Sequence, residues 1–418
     1  MMILLLIAGC SSQAPSPSTT PNQGEAGTTT PETGGNSINH SNGDNVTPIE
    51  EEDPITLKMG KMSIEEKVGQ MILAGVDGTE LDARATQMIA EQKVGGIILY
   101  SNNVSDLQGT VQFVKALKQA NAGNPVPLFM SVDQEGGQVS RMPKELLSIP
   151  SNASVGKTKS ADLAETMGKL LARELLLTGF NVNFAPVLDV NSNPNNPVIG
   201  DRSFGSSANQ VAELGIAEMK GLRSEGVIPV VKHFPGHGDT SVDSHLDLPV
   251  VNKSLDQLKK LEWIPFAAAV QEDVEAVMVA HILFPKLDPD KPASLSEVII
   301  GQHLRGELNY QGVVITDDLS MGAIEKNFEL NDVTIDTVKA GSDILLVAHS
   351  YDSAKLIFDT LLQSVKDGTI SESRIDESVY RILSLKSRYN LVDNQEPTGN
   401  VQDLNKDIEA WRKQVNAQ

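Results

Sequence analysis

The stretch "GVVITDD", residues 312–318, runs through β-branched side chains and stops at two carboxylates. It is too short for a free-standing helix, and unbroken apolarity suits a strand covered on both faces. The same texture recurs along the chain. Earlier runs are "QMILAG" (70–75), "GGIILY" (95–100), "PLFMSVD" (127–133) and "VNFAPVLDV" (182–190). "IPVVKHF" (228–234) and "EAVMVAHI" (275–282) also precede it, and "DILLVAH" (343–349) follows it. Amphipathic helical patterns lie between them, such as 106–123 and 163–179, and a Ser63-x-x-Glu66 capping box opens an early helix. Eight strands, each followed by helical sequence, predict a single α/β domain, a (β/α)8 barrel over residues 55–393. A doubly wound open sheet would need a Gly-rich phosphate loop after its first strand, which "LAGVDGTEL" (73–81) matches poorly.

Polar residues fall where a barrel keeps its chemistry. Asp133, Asp189, Lys232, His233, His281, Asp317 and His349 all close apolar runs, at the carboxyl ends of the predicted strands. Seven such residues imply a shared pocket. The formal net charge is −21 with no Lys/Arg block, which excludes a phosphate-backbone binder, so no nucleic-acid partner is expected. The single cysteine, Cys10, excludes an intrachain disulfide. It ends "MMILLLIAGC", an apolar run with small residues before the Cys that resembles a bacterial lipobox. Residues 1–10 are therefore expected to be a lipoprotein signal peptide with lipidation at Cys10, anchoring the protein to the outer face of the membrane. Residues 11–54, rich in Ser, Thr, Pro and Gly, read as a disordered tether, and 394–418 as a C-terminal tail.

The loop "KHFPGHGDTSVDSHLDLP" (232–249) holds three of the seven histidines. A metal could draw on His237, Asp239, Asp243 and His245, but the spacing fits no compact zinc pattern, and no metal is expected. Asp243-Ser244-His245 instead places a carboxylate two positions from an imidazole, able to orient the ring for general acid/base work. Spacing alone leaves open a pair that merely pins the loop. Asp317, at the mouth of a barrel, suits a nucleophile for an anomeric carbon, while Asp318 suits a helix N-cap.

These segments resemble the family 3 glycoside hydrolases, in particular their β-N-acetylglucosaminidase branch that acts on peptidoglycan fragments. The loop 232–249 is similar to that branch's Lys-His-(Phe/Ile)-Pro-Gly-x-Gly-(x)4-Asp-(Ser/Thr)-His motif, and "ITDDLSMGA" (315–323) to its nucleophile segment. "SVDQEGGQVSRM" (131–142) and "GDRSFG" (200–205) resemble its sugar-binding loops, although Gln138 stands where the family often has arginine. The resemblance spans residues 55–390. It implies Asp317 as nucleophile, His245 as general acid/base and Asp243 as its partner. Asp133, Arg141, Arg202, Lys232 and His233 would hold the terminal N-acetylglucosamine, and Asp201 is a competing ion-pair partner for Arg202. His237 and Asp239 are read as structural, Asp189 and His281 as support behind the site. The expected reaction is retaining hydrolysis of muropeptides by a monomer without cofactors. Aromatic residues make up only 4% of the chain, which favours a small exo-acting pocket over a long stacked cleft. The competing readings are a family 3 β-glucosidase and a non-catalytic sugar-binding lipoprotein.

Overall fold

The computed structural model describes residues 53–417. All eight runs become strands: β1 Ile72–Gly75, β2 Gly96–Leu99, β3 Phe129–Val132, β4 Val182–Asn183, β5 Ile228–Phe234, β6 Ala276–Val279, β7 Val313–Thr316 and β8 Leu345–Val347. Every strand residue is buried, the outcome expected when an apolar run is covered on both faces. Each sealed Val, Leu or Ile contributes about 1.5–3 kcal/mol, which is why these runs tolerate few polar residues.

Neighbours in the sheet are parallel, in the order β7-β6-β5-β4-β3-β2-β1-β8. The ring closes between β7 and the start of β8. There Ile315 pairs with Ile344, Thr316 N donates to Ile344 O (3.1 Å), and Ile344 N donates to Val314 O (3.0 Å). The fold is thus the expected (β/α)8 barrel. Strand β4 is much shorter than its apolar run because its regular pairing lapses around Pro186 and resumes only as an isolated Val187–Lys232 bridge, with Leu188 N donating to Lys232 O (2.7 Å). Asn183 donates to Gln134 O (2.9 Å) and accepts from Gln134 N (3.0 Å), after which Pro186 lacks an N–H to continue.

Helices Leu107–Ala120 and Ala161–Thr178 occupy the predicted segments, and the Ser63/Glu66 capping box forms reciprocally. Two boundaries are corrected. A helix begins at Pro54, capped by the Asp53 carboxylate, so the folded body starts just before the expected end of the tether. The expected C-terminal tail contains helix Val401–Asn416, which packs against Ala161–Thr178. Its Trp411 is buried and donates its indole N–H to Leu163 O (3.1 Å), fixing this segment to the barrel. Cys10, the signal peptide and residues 11–52 of the tether lie outside the described residues. No helix among the described residues is long and apolar enough to cross a membrane.

Candidate active site

The carboxyl ends of the strands bring the predicted residues together. Lys232, near the end of β5, is buried, and its Nζ pairs with Asp133 after β3 (2.5 Å) and with Glu135 (2.6 Å). Burial disfavours the ammonium, but the two carboxylates outweigh it and hold the Lys232 pKa above the ordinary lysine value. Arg202 enters from the loop after β4 and grips Glu135 with two donors, each at 2.8 Å. The suspected Asp201–Arg202 pair therefore does not form, because a buried bidentate carboxylate is the better partner. Arg202 Nη2 also lies 3.5 Å from His233 Nε2, and His233 Nδ1 lies 2.6 Å from Asp189 Oδ2.

Glu135 was not singled out in the sequence, yet it joins both cations. It is buried, and although burial alone would raise its pKa, Arg202 and Lys232 hold the carboxyl well below the usual range. The available signal was its position two residues beyond Asp133 in "SVDQEGG", just past the strand end. Tyr100, at the end of β2, was missed too. Burial pushes its hydroxyl pKa well above the usual value, assisted by Asp133, Asp318 and Asp317, and its ring leans on His349 (5.0 Å between centroids).

Two of the residues expected to hold sugar keep free capacity among the described residues. Asp133 has one oxygen engaged, by Lys232. Arg141 makes no ion pair, its Nε is buried without a partner, and its guanidinium reaches only Ser140 O at 3.4 Å.

Asp317 follows β7, with Oδ1 accepting from Asp318 N (2.9 Å). Burial alone would raise its pKa, but the charges of His281 and His233, with the Asp318 N–H, hold it below the ordinary aspartate value. It is an anion at neutral pH. Asp318 faces away: its Oδ1 accepts from Ser320 N (3.0 Å) and Ala348 N (2.9 Å). It ties a turn to the end of β8, and the helix N-cap expected of it does not form, since Met321 holds that position. His281 supports this turn from below, with Nε2 donating to Asp318 O (3.0 Å) and Nδ1 meeting Ser294 Oγ (2.7 Å).

His245 and Asp243 form a pair at the rim, with Nδ1 2.8 Å from Oδ1 and the His245 backbone N–H on the same oxygen (2.9 Å). Burial raises the Asp243 pKa, but the His245 N–H and ring outweigh it and lower the net value. This rim loop is clamped to the chain that follows Asp317. Gly322 N donates to His245 O (3.3 Å), Ala323 N to Ser244 O (3.1 Å), and Lys326 Nζ to Leu246 O (2.6 Å). A Cβ on Gly322 would lie 2.7 Å from His245 O, so only glycine permits this approach.

His237 and Asp239 take structural contacts, as read from the sequence. The His237 ring nitrogens face Thr240 and Ser244, and Asp239 pairs with Lys253 (3.0 Å).

The site therefore joins an ionised carboxylate, an Asp-oriented imidazole on a loop fastened to the turn that follows it, and a cluster of charged hydrogen-bonding groups. The sequence model of the glycosyl hydrolase family 3 N-terminal domain matches residues 63–385. The chain belongs to glycosyl hydrolase family 3. Within this family, beta-hexosaminidase A of Pseudoalteromonas piscicida is 37% identical over 334 residues, covering 74% of this chain and 56% of that protein. Beta-hexosaminidase LpqI of Mycobacterium tuberculosis is 34% identical over 334 residues, covering 78% of this chain and 83% of that protein. Among solved structures, a family 3 β-N-acetylglucosaminidase from Paenibacillus sp. str. FPU-7 has a TM-score of 0.80 at 41% identity. That match covers 85% of this chain and 69% of the other. The family fold is thus a glycoside hydrolase barrel, and the relatives are hexosaminidases.

Proposed function

We propose that this protein is a retaining exo-β-N-acetylglucosaminidase that removes the terminal, non-reducing N-acetylglucosamine from peptidoglycan fragments. The observation that carries the reading is the clamp between the two reactive elements. The loop bearing Asp243 and His245 is hydrogen-bonded to Gly322 and Ala323, at the end of the turn that follows Asp317. Asp317 attacks the anomeric carbon while protonated His245 gives its proton to the departing oxygen. Asp243 holds the ring and favours its charged form. In the second half, neutral His245 takes a proton from water, which attacks the glycosyl-enzyme and restores Asp317.

Asp133, Arg141, Lys232, Arg202 and His233 hold the sugar, with Glu135 and Asp189 keeping the cations and ring in place. Asp133 accepts hydroxyl protons, and Arg141 brings free donors. Clustering of these groups at the ends of neighbouring strands suits a single end unit rather than a polymer. The N-acetyl preference rests on the names of the relatives, and the cell-wall substrate on the resemblance of loop 232–249. The proposal also places the protein on the outer face of the membrane through a lipid on Cys10, which rests on the lipobox pattern of residues 7–10.

The test is hydrolysis of 4-nitrophenyl N-acetyl-β-glucosaminide and of the matching β-glucoside, with and without EDTA. EDTA-insensitive cleavage of the acetylated substrate alone is expected, and a 5-fluoro N-acetylglucosaminyl fluoride should label Asp317, read by peptide mass. Equal cleavage of both substrates would favour a β-glucosidase. Sugar binding without turnover would favour a binding lipoprotein.

A further inference from the structure

The exposed reactive pair stands on a buried serine, and that serine stands on a histidine that no step of the reaction uses. The His245 and Asp243 side chains are 66% and 32% exposed, so contacts at the rim cannot by themselves fix the ring. Between them in sequence, Ser244 is buried, and its Oγ lies 3.2 Å from His237 Nε2. The other ring nitrogen of His237 lies 2.9 Å from Thr240 Oγ1. Both hydroxyls can donate or accept, so either neutral tautomer completes this bridge. Burial, aided by His233, pushes the His237 pKa down to about 4, which keeps the ring neutral while the reaction runs.

His237 is itself held from beneath. Its backbone N–H donates to Asp189 Oδ1 (2.6 Å), while the other Asp189 oxygen holds His233 of the sugar recess. Its carbonyl accepts from Asn196 Nδ2 (2.8 Å), and the ring packs edge-on against His233 (5.5 Å between centroids). Gly238 presses the turn against the chain after β4, where a Cβ would lie 1.7 Å from Val190 O. Hydrogen bonds at the His237 backbone and ring thus link Asp189, beneath His233, to Ser244, which the chain joins directly to Asp243 and His245.

We propose that His237 is a positioning residue of the reaction, acting through Ser244 to hold Asp243 and His245 at the height the leaving oxygen requires. The proposal rests on the acid/base reading of His245 given above. A general acid must sit within hydrogen-bond reach of the oxygen it protonates, and a displacement of about 1 Å can cost up to about 100-fold in rate. The two hydroxyl contacts set that height, whereas the clamp to Gly322 and Ala323 sets its side-to-side position.

The test exploits leaving groups, using the full chain and kcat/KM, which reports the glycosylation step. An N-acetylglucosaminide of an aliphatic alcohol needs protonation, and the 2,4-dinitrophenyl glycoside does not. His237→Leu should lose about tenfold or more on the alkyl glycoside but less than about threefold on the dinitrophenyl one. Ser244→Ala should repeat this pattern, and the double variant should be no worse than either alone. Ser244→Ala decides the question if His237→Leu melts below the assay temperature. Equal losses on both substrates, or multiplicative losses in the double variant, would overturn the positioning role. His245→Ala serves as the reference: if it too lost activity equally on both substrates, the acid/base assignment itself would fall. A selective His245→Ala beside an unselective Ser244→Ala would remove only the positioning proposal.

Discussion

The two ends of the barrel both carry buried charge, and they use it differently. At the amino end, before β8, Asp343 is fully buried and accepts from Arg305 (2.6 Å), Arg381 (3.1 Å), Ser378 (2.7 Å) and Val314 N (2.9 Å). Glu275, before β6, receives Arg223, Arg388 and Tyr389. Lys386 plugs the base by donating to Gln70 Oε1, Gly95 O and Pro127 O at 2.7–2.8 Å, so one amine ties the starts of three strands, and burial lowers its pKa to about 7. At the carboxyl end, Lys232, Glu135 and Arg202 are equally well paired, but Asp133, Arg141 and Asp317 keep unused capacity. Charges whose partners are all internal hold a fold together. Charges left part-satisfied at a mouth wait for a ligand, because desolvating them without one would cost several kcal/mol.

The sharpest way to break this contrast is to remove one acid from each end. Asp317→Ala should lower kcat by at least about 1000-fold with folding unchanged, checked by steady-state kinetics beside a thermal melt. Asp343→Asn should do the reverse. It leaves its arginines uncompensated and should cost about 3–5 kcal/mol in denaturant unfolding, while kcat per folded molecule stays within twofold or so. If Asp343→Asn abolished activity in fully folded protein, the division between the ends would not hold.

Smaller effects sharpen the comparison within the mouth. Glu135→Gln removes the charge that pins Lys232 and Arg202 and should lower kcat/KM by about 10–100-fold, mainly through KM, since the proposed function has these cations hold sugar rather than react with it. An effect confined to kcat would move Glu135 into the chemistry.

A pH-dependent effect is expected at Glu174, which is buried with Gln134 Nε2 on its Oε2 (2.7 Å). Burial raises its pKa to about 8, and the Gln134 contact only partly opposes this. The folded state therefore holds this proton where the unfolded chain, with an ordinary glutamate, has released it. The group does not penalise folding below about pH 4.5 and disfavours it increasingly as pH rises toward 8, with a slope of up to about 1.4 kcal/mol per pH unit. Glu174→Gln should flatten that fall in unfolding experiments between pH 5 and 8. An unchanged slope would mean that Glu174 folds as an anion.

Much of this architecture was legible in one dimension. Continuous apolarity can be read because burial on both faces leaves no polar positions, so all eight strands were found, and residues closing them fell on one face by parallel connection alone. Motifs pointed to Asp317, Asp243 and His245 because each sits within a short segment whose spacing can be read along the chain. The run at 182–190 gave less, since Pro186 has no N–H and the pairing beyond it shrinks to an isolated bridge at Val187. The helix at 401–416 was mistaken for a tail because its buried stripe has meaning only against the groove that receives Trp411.

Sequence by itself determined the barrel and the polar residues at its mouth, since these follow from periodicity and local chemistry. Tertiary structure alone decided the pairings. Glu135 rather than Asp201 takes Arg202, from 67 positions away, and Gly322 meets His245 across a gap in the chain that no spacing rule spans. Local pattern sets which face is buried. Which charges meet depends on where distant loops arrive, and in a dry site the best-satisfied partner wins.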